Sequence, residues 1–219
     1  MWGMPRAQQG MIVLLALAVF AANIDQPYPE LAPLQHAPTV GLILAAPWLL
    51  RRWPLSDRSV ALILGFLLLH TLGGRYIYSY VPYDAWMRAI TGHDISTALG
   101  WRRNGFDRLV HFAFGLLLTL PFAEMAWRHG GASRRLAGLL AFALIGLVSA
   151  LYEIFEWALT IVAAGDTADY YNGQQGDIWD AQKDMAAAIM GSLGVIAYMT
   201  MARRLRGRQG MDEFERSDD

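Results

Sequence analysis

The chain contains no cysteine, and this absence removes several kinds of site at once. Disulfides, catalytic thiolates and zinc centres with cysteine ligands are all excluded. A cysteine-free chain also suits an oxidising compartment without requiring one. Charged residues make up only 17% of the 219 residues, and the formal net charge of −1 gives no support to a nucleic-acid partner. Internal repeats and long low-complexity tracts are missing as well.

The hydrophobic residues, 55% of the chain, are arranged in long blocks that contain few charges. A helix of roughly 15 to 25 residues has the length needed to cross about 30 Å of hydrocarbon. The sequence therefore predicts an all-α, polytopic membrane helix bundle with about six transmembrane helices in a single domain over residues 1–208. Residues 209–219 are polar and are predicted to form a disordered cytoplasmic tail. The predicted spans are 9–24, 37–53, 60–80, 106–127, 136–164 and 184–202.

The first two spans each allow a second interpretation. Residues 19–21 resemble a signal-peptide cleavage site, but Arg6 is the only basic residue before them and the polar stretch expected before cleavage is missing. A retained span is therefore favoured. The second span is bracketed by Pro38 and Pro47 and reaches membrane length only if its tryptophans lie in the interface. Residues 27–38 are proline-rich and are predicted to be an extended outer loop.

The distribution of arginine predicts the orientation, because cytoplasmic loops of membrane proteins carry an excess of Lys and Arg. Three arginines lie in residues 51–59, three in 128–135 and five after residue 202. Both termini are therefore predicted to be cytoplasmic. The segments predicted to face outward are 25–36, 81–105 and 165–183, of which 81–105 is the longest and carries three arginines.

Apart from Glu124, the ionisable residues of the apolar segments fall near one side of the predicted membrane. A charge in hydrocarbon is costly, so such residues are rare and usually functional. Counting about 1.5 Å of rise per residue places His70 near the midplane and Glu124 near the cytoplasmic end. The others fall in the outer half or, from residue 177 onwards, at the outer entrance of the sixth span. These others are Arg75, Asp107, Arg108, His111, Glu153, Glu156, Asp177, Asp180, Lys183 and Asp184. The sequence therefore predicts a polar site in the outer leaflet.

Spacing within the spans supports one polar face on each helix. Residues three or four positions apart lie on the same side of a helix. This relation holds for Asp107 with His111, for Glu153 with Glu156, and for Asp177, Asp180 and Asp184 if residues 177–184 are helical. One polar face per helix is what a site in the interior of a bundle requires, because carboxylates cannot face lipid.

Each of these residues also has a purely structural explanation. Asp107 follows Asn104-Gly105 and has the position of a helix cap. His111 is compatible with an ordinary hydrogen-bonded histidine. The aspartates after residue 176 resemble a solvated helix start that Lys183 neutralises in part.

Glu153 and Glu156 are the hardest to explain in this way, because they lie more than ten residues inside a predicted span. The structural alternative for them is a network of ion pairs with Arg75 and Arg108.

Counting charges favours a cation in the site. The candidate acids number six, whereas the nearby bases are Arg75, Arg108 and Lys183, with Arg102 and Arg103 close by if their loop folds back. An acidic surplus beside histidine is the ligand chemistry of a hard or borderline divalent metal ion. No specific metal signature such as HExxH accompanies it. The candidate metal ligands are His70, His111, Glu153, Glu156, Asp177, Asp180 and Asp184.

Four runs of residues resemble the YjdF family of bacterial inner-membrane proteins. They are residues 70–76 (HTLGGRY), 104–111 (NGFDRLVH), 152–157 (YEIFEW) and 175–184 (QGDIWDAQKD). The resemblance covers nearly the whole chain. It implies a multi-pass protein of the bacterial inner (plasma) membrane and carries no settled activity.

A looser similarity to VanZ-like proteins covers residues 104–194. Their pattern of Asp, a basic residue and a later His matches Asp107, Arg108 and His111, and their later Glu and Asp-x-x-Asp pair match Glu153 with Asp177 and Asp180. The chain departs from that pattern at Asp184, where VanZ-like chains usually have Asn. This resemblance implies a role at the cell envelope.

The leading hypothesis is a cation-dependent enzyme or binding protein for a lipid or cell-envelope substrate. Glu153, Glu156, Asp180 and His111 would then be catalytic, and Arg75 and Arg108 would hold an anionic headgroup, because guanidinium matches phosphate geometry. Two alternatives use the same residues: a proton-coupled transporter, and a structural or accessory membrane protein held by ion pairs. The transporter is less favoured, because the cytoplasmic half has no matching set of polar residues.

Overall fold

Residues 3–162 and 175–217 are described by a computed structural model, and this part of the chain is helical without strands. Its helices are α1 (Arg6–Ala22), α2 (Ala32–Arg52), α3 (Asp57–Arg75), α4 (Tyr83–Thr91), α5 (Ile95–Leu99), α6 (Phe106–Arg128), α7 (Arg134–Val162) and α8 (Asp180–Ser217). The end of the predicted fifth span, at 163–164, and residues 165–174 of the predicted outer loop lie outside the described residues, as do residues 218–219 of the predicted tail.

Four of these helices are long and apolar enough to cross a membrane: α3, α6, α7 and the part of α8 up to Leu205. Helix α1 is apolar but has only 17 residues, and α2 is not among the four. Large apolar side chains remain exposed on these helices, for example Leu139 at 63% and Leu193 at 50%, as expected of a surface that faces lipid. The prediction of an all-α membrane helix bundle is confirmed. The count of six spans and the cytoplasmic termini stay predictions.

Helices α6 and α8 run side by side with their first residues at the same end of the bundle. Glycines let their backbones come very close. A Cβ added to Gly115 would lie 1.9 Å from the carbonyl oxygen of Ala188, and one added to Gly191 would lie 2.2 Å from that of Phe112. Small residues at such a crossing are the usual means by which membrane helices pack tightly.

Helix α7 completes this core on the other side. Leu118 of α6, Ile145 of α7 and Ala188 of α8 form one buried apolar cluster. In the same layer the hydroxyl of Thr119 lies 2.7 Å from that of Ser192, so these two buried polar groups satisfy each other. The three helices therefore form a tightly packed unit that fixes the positions of the residues at their ends.

Glu124, the exception among the predicted intramembrane charges, anchors the start of α3. Its carboxylate accepts hydrogen bonds from the backbone N–H of Ser56 at 2.8 Å, from the Ser56 hydroxyl at 2.6 Å and from the hydroxyl of Ser59. Arg128 pairs with it at 3.0 Å. Since Ser56 is the N-cap of α3, Glu124 serves that helix terminus and lies at the end of α6 opposite Asp107.

The first half of the chain differs from the predicted segments in two places. Pro38 and Pro47 lie inside α2 rather than at its ends, and α2 begins within the proline-rich stretch predicted to be extended. Pro33 falls in the first turn of α2, where a missing N–H costs nothing. Helix α3 ends at Arg75 rather than at residue 80, because the left-handed backbone of the next residues (φ 44° at Ile77) cannot continue a helix.

Two later segments are more helical than predicted. The outer segment 81–105 contains α4 and α5, so it is not a simple loop. Helix α8 begins at Asp180 and runs to Ser217, past the point after residue 208 where the sequence predicted disorder. Met211, Glu213, Glu215 and Arg216 in that stretch are good helix formers.

Candidate functional site

The ends of α6 and α8 are joined by a buried arginine. Arg103, in the segment before α6, forms ion pairs with Asp107 of α6 and, at 2.5 Å, with Asp180 at the start of α8. The side chains of Arg103 and Asp180 are only 8% and 5% exposed. Asp107 lies in the first turn of α6 rather than at the N-cap, which is Gly105, and its Oδ1 accepts a hydrogen bond from the backbone N–H of Arg108 at 2.7 Å.

A second arginine neutralises the outer part of the acidic group. Arg108 pairs with Asp177, lies 3.4 Å from Asp180 and lies 3.8 Å from Asp184. Asp177 also accepts hydrogen bonds from Lys183 at 2.6 and 2.9 Å. The bond from Lys183, followed by those from the backbone of Trp179 and from Arg108, lowers the pKa of Asp177 to about 2. Asp177 is therefore ionised at neutral pH and already held by two cations.

Deeper in the bundle, three helices bring His111, Glu153 and Asp184 together. One potential ligand atom from each residue lies within 4.8 Å of the other two. The imidazole Nε2 of His111 is 3.5 Å from a Glu153 carboxylate oxygen. The side chains of Glu153 and Asp184 are 91% and 93% buried. Even so, this oxygen of Glu153 and Oδ1 of Asp184 have no hydrogen-bond partner. Asp184 also belongs to a second acidic group with Asp107 and Asp180.

This cluster lies beside a cavity of about 430 Å³, a size that suits small ligands. The walls come from α2, α3, α6, α7, α8 and the turn after α3. Most of the wall is apolar, whereas Asp107, His111, Glu156 and Asp184 make one region of it acidic. No Arg or Lys is found among the described residues that line the cavity.

His70 faces the same cavity and is held by the turn that follows its helix. The hydroxyl of Tyr78 bonds to Nδ1 of His70. Tyr78 has a positive φ of 57°, which turns its ring back over Gly73, where an added Cβ would lie 2.6 Å from the ring. The next glycine, Gly74, is packed against His36 of α2. The glycine pair of residues 70–76 is therefore explained by close contacts on two sides of α3.

Arg75 lies outside the acidic cluster and binds backbone carbonyls at the end of α1. Its guanidinium donates hydrogen bonds to the carbonyl oxygens of Ala22 at 2.7 Å, Ile24 at 2.8 Å and Asp25 at 3.3 Å. Ala22 is the last residue of α1 and the other two carbonyls belong to the turn after it, so Arg75 satisfies acceptors at and just beyond a helix terminus. It forms no ion pair with Glu153 or another carboxylate in the described residues.

The structure thus separates the predicted site residues into groups. His111, Glu153 and Asp184 form one group, and Asp184 also belongs to a second group, with Asp107 and Asp180. Asp177 is held by Arg108 and Lys183, Arg75 caps α1, and His70 and Glu156 line the cavity outside both groups.

Three residues at the cavity or the acidic cluster were not predicted from the sequence. Arg103 was considered only as a charge on a nearby loop, and because it lies before α6, helical spacing gave no signal for its pairing with Asp107. Thr39 and Ser149 line the cavity with buried hydroxyls that have no hydrogen-bond partner. Single Ser and Thr residues in apolar helices are common, so nothing in the sequence distinguished them.

Comparison with known proteins places the chain among membrane proteins. Residues 7–205 match the family described as "Predicted membrane protein (DUF2238)". The chain is 34% identical over 159 residues to "Inner membrane protein YjdF" of Escherichia coli (strain K12), an alignment that covers 71% of this chain and 72% of the relative. No solved structure matches the chain.

The family resemblance inferred from the four motifs is therefore confirmed, whereas the looser similarity to VanZ-like proteins stays a prediction. Because the match extends over most of both sequences, the family is shown by the whole chain rather than by a local motif. The chain belongs to the DUF2238 family of predicted membrane proteins.

Proposed function

We propose that this protein binds a divalent cation through His111, Glu153 and Asp184 and acts as an enzyme or binding protein for a lipid or cell-envelope substrate. The observation that carries the proposal is the pair of carboxylate oxygens on Glu153 and Asp184, both buried beside an imidazole without a hydrogen-bond partner. Burying an unpaired charge is expensive, and a metal ion is one means of compensating it.

The distances support a shared cation. Oxygen ligands lie about 2.0 to 2.6 Å from Mg²⁺ or Ca²⁺, so two ligands on opposite sides of one ion are about 4 to 5 Å apart. The ligand atoms of the three residues fall within 4.8 Å of one another. Carboxylates with one imidazole suit Mg²⁺, Ca²⁺, Mn²⁺ or Zn²⁺ better than a soft metal.

Three further observations support the proposed location and ligand. The name of the Escherichia coli relative, "Inner membrane protein YjdF", supports an inner-membrane location for this chain. The arginine distribution supports cytoplasmic termini and a site in the outer leaflet. A cavity beside the acidic cluster supports a ligand that is partly apolar.

Within this proposal, His111 and Glu153 bind the cation, and Glu156 on the cavity wall is positioned to exchange a proton with a bound molecule. Asp180 orients the cluster through Arg103. The anion-binding role predicted for Arg75 and Arg108 is not retained, because both guanidinium groups are already occupied by carbonyls or carboxylates.

One rival is supported by a specific observation. Arg103, Arg108 and Lys183 pair with Asp107, Asp177 and Asp180, as a purely structural ion-pair network would require. That network holds Asp107, Asp177 and Asp180 in close ion pairs and reaches Asp184 only at 3.8 Å, from Arg108. Among the described residues it gives Glu153 no Lys or Arg partner and leaves Oδ1 of Asp184 without a hydrogen bond, which is why the cation is preferred.

The test is metal analysis of the protein purified in mild detergent without chelator. Stoichiometric metal is expected in the wild-type protein, and Glu153→Gln and Asp184→Asn should lose it while keeping their elution volume and helical circular dichroism. Glu30→Gln, which changes an exposed glutamate in the same chemical way, should keep the metal. A folded wild-type protein that takes up no divalent metal after reloading would exclude the proposal and favour the structural network.

A further inference from the structure

We infer that the cavity is a binding site for one apolar chain of a membrane lipid, which enters sideways from the bilayer between α2 and α7. This inference rests on the proposed function for what happens at the polar end of the site. It adds the class of ligand and the path by which that ligand reaches the cluster.

The path follows from which helices touch. Leu34, Pro38 and Leu42 of α2 and Val148 and Phe155 of α7 contribute to walls of the same cavity. Among the described helices, α2 packs only on α1 and α3, whereas α7 packs on α6 and α8, and α2 and α7 do not pack on each other. Within the described residues, the bundle is therefore open along one side between these two helices.

The lips of this opening are apolar. Leu34 and Leu42 on α2 are 44% and 45% exposed, and Phe155 on α7 is 44% exposed. Phe155 lies on α7, one of the four helices long and apolar enough to cross a membrane, so we expect the opening to face hydrocarbon rather than water at that level. A hydrocarbon chain can pass between them without losing favourable contacts, while a charged solute would have to be desolvated.

The inner wall of the cavity is apolar as well. Phe66 of α3 and Phe114 of α6 form part of the inner wall, and their rings lie 5.5 Å apart. Beyond the apolar wall, the hydroxyls of Thr39 and Ser149 are buried and lack hydrogen-bond partners. A ligand with an apolar body and a polar end would therefore find complementary groups along the cavity.

The acidic region fixes which end of the ligand points inward. Asp107, His111, Glu156 and Asp184 meet the cavity, and no Arg or Lys of the described residues lines it. A hydrocarbon tail gains nothing there, but the polar part of a lipid can donate hydrogen bonds or reach the bound cation. The lipid is therefore oriented with its polar part at the cluster and its tail toward the opening.

The experiment uses the full-length protein in nanodiscs of phosphatidylethanolamine and phosphatidylglycerol. A small fraction of the phosphatidylethanolamine carries a photoactivatable diazirine in one acyl chain. After irradiation, peptide mass spectrometry compares labelling at the inner wall, at Phe66 and Phe114, with labelling at the exposed surface, at Leu139 and Leu193. We expect the wild-type protein to be labelled at both.

Two variants obstruct the site at different points. Ser149→Phe fills the interior, and Leu42→Trp narrows the opening at a position exposed enough to tolerate a larger side chain. Both should reduce inner-wall labelling several-fold and leave surface labelling unchanged. Ala143→Phe is the matched control, since it adds the same ring to an exposed position of α7 outside the cavity and should change neither.

Wild-type labelling confined to the outer surface would overturn the inference, as would unchanged inner-wall labelling in folded Leu42→Trp and Ser149→Phe proteins. The result is independent of metal analysis. Inner-wall labelling in a protein without metal would support the lipid site and exclude the cation, whereas metal without inner-wall labelling would retain the cation and exclude the lipid site.

Discussion

Arg103 and Asp180 are joined by a 2.5 Å ion pair that fastens the segment before α6 to the first residue of α8. Both side chains are more than nine-tenths buried, and Arg103 holds Asp107 as well. Two carboxylates at the ends of parallel helices would repel each other without this guanidinium. The arginine therefore keeps the two helix ends together and positions Asp184, one turn farther along α8.

We predict that Arg103→Met destabilises the protein strongly. The substitution removes the guanidinium that Asp107 and Asp180 share and leaves Asp180 only its longer 3.4 Å contact with Arg108. Removing one partner of a buried pair typically costs about 3–5 kcal/mol. The measurement is thermal or denaturant unfolding in detergent, followed by circular dichroism. Adding Asp180→Asn to the same protein should recover part of the loss, because one of the two stranded charges is then removed.

The neighbouring residue provides the control. Arg102 is exposed, so Arg102→Met should change the unfolding temperature little. Equal effects at positions 102 and 103 would show that the buried ion pair does not stabilise the helix ends.

A second prediction concerns Gly73, whose missing side chain leaves room for the ring of Tyr78. An added methyl group would lie 2.6 Å from that ring, so Gly73→Ala should displace Tyr78 and break its hydrogen bond to His70. Lower thermal stability and a changed ring-nitrogen chemical shift of His70 are expected, the latter measured on protein with ¹⁵N-labelled histidine. Tyr78→Phe should produce the same change in chemical shift, since it removes the hydroxyl alone.

Gly65 lies on the same helix and serves as the comparison. A methyl group there would meet only Leu117, at an ordinary 3.9 Å. Gly65→Ala should therefore leave His70 unchanged and stabilise the helix by about 0.8–1.0 kcal/mol from propensity alone. An unchanged His70 signal in Gly73→Ala would contradict the packing argument.

The sequence was most informative where hydrophobicity decides the structure. Blocks of apolar residues predicted α6 and α7 to within a few residues, because a helix that crosses the bilayer needs a long, nearly uncharged apolar segment. The cost of burying charge also predicted that Glu153 and Asp184 belong together in the bundle interior. Both arguments need only the polarity of each residue and its position along the chain.

The sequence was least informative about partners of long side chains. Arg75 and Arg103 have equal charge and similar reach, yet Arg75 caps the end of α1 and Arg103 holds two aspartates. That choice depends on where the end of α1 and the segment before α6 lie in space, which periodicity does not specify. Likewise, Pro38 and Pro47 marked the ends of a span in the sequence, but α2 continues through both. Neighbouring helices and tertiary contacts can support prolines within membrane helices.

The third prediction tests the close contact between α6 and α8. A methyl group on Gly191 would lie 2.2 Å from the carbonyl oxygen of Phe112, and the obstacle is backbone rather than a flexible side chain. Gly191→Ala must therefore push the two helices apart. Overpacking of this kind costs about 1–3 kcal/mol or more. The unfolding temperature should fall, and so should the metal content, since Asp184 lies on α8 two turns before this contact.

Gly194 makes the comparison decisive, because it lies on the same helix with nothing within 4 Å of an added methyl group. Gly194→Ala removes the same backbone freedom without a collision, so it should raise stability slightly through helix propensity. Opposite signs at positions 191 and 194 are expected in one unfolding assay. If Gly191→Ala were as stable as Gly194→Ala and bound metal equally, α6 and α8 could not be packed through these glycines, and the acidic cluster would need another support.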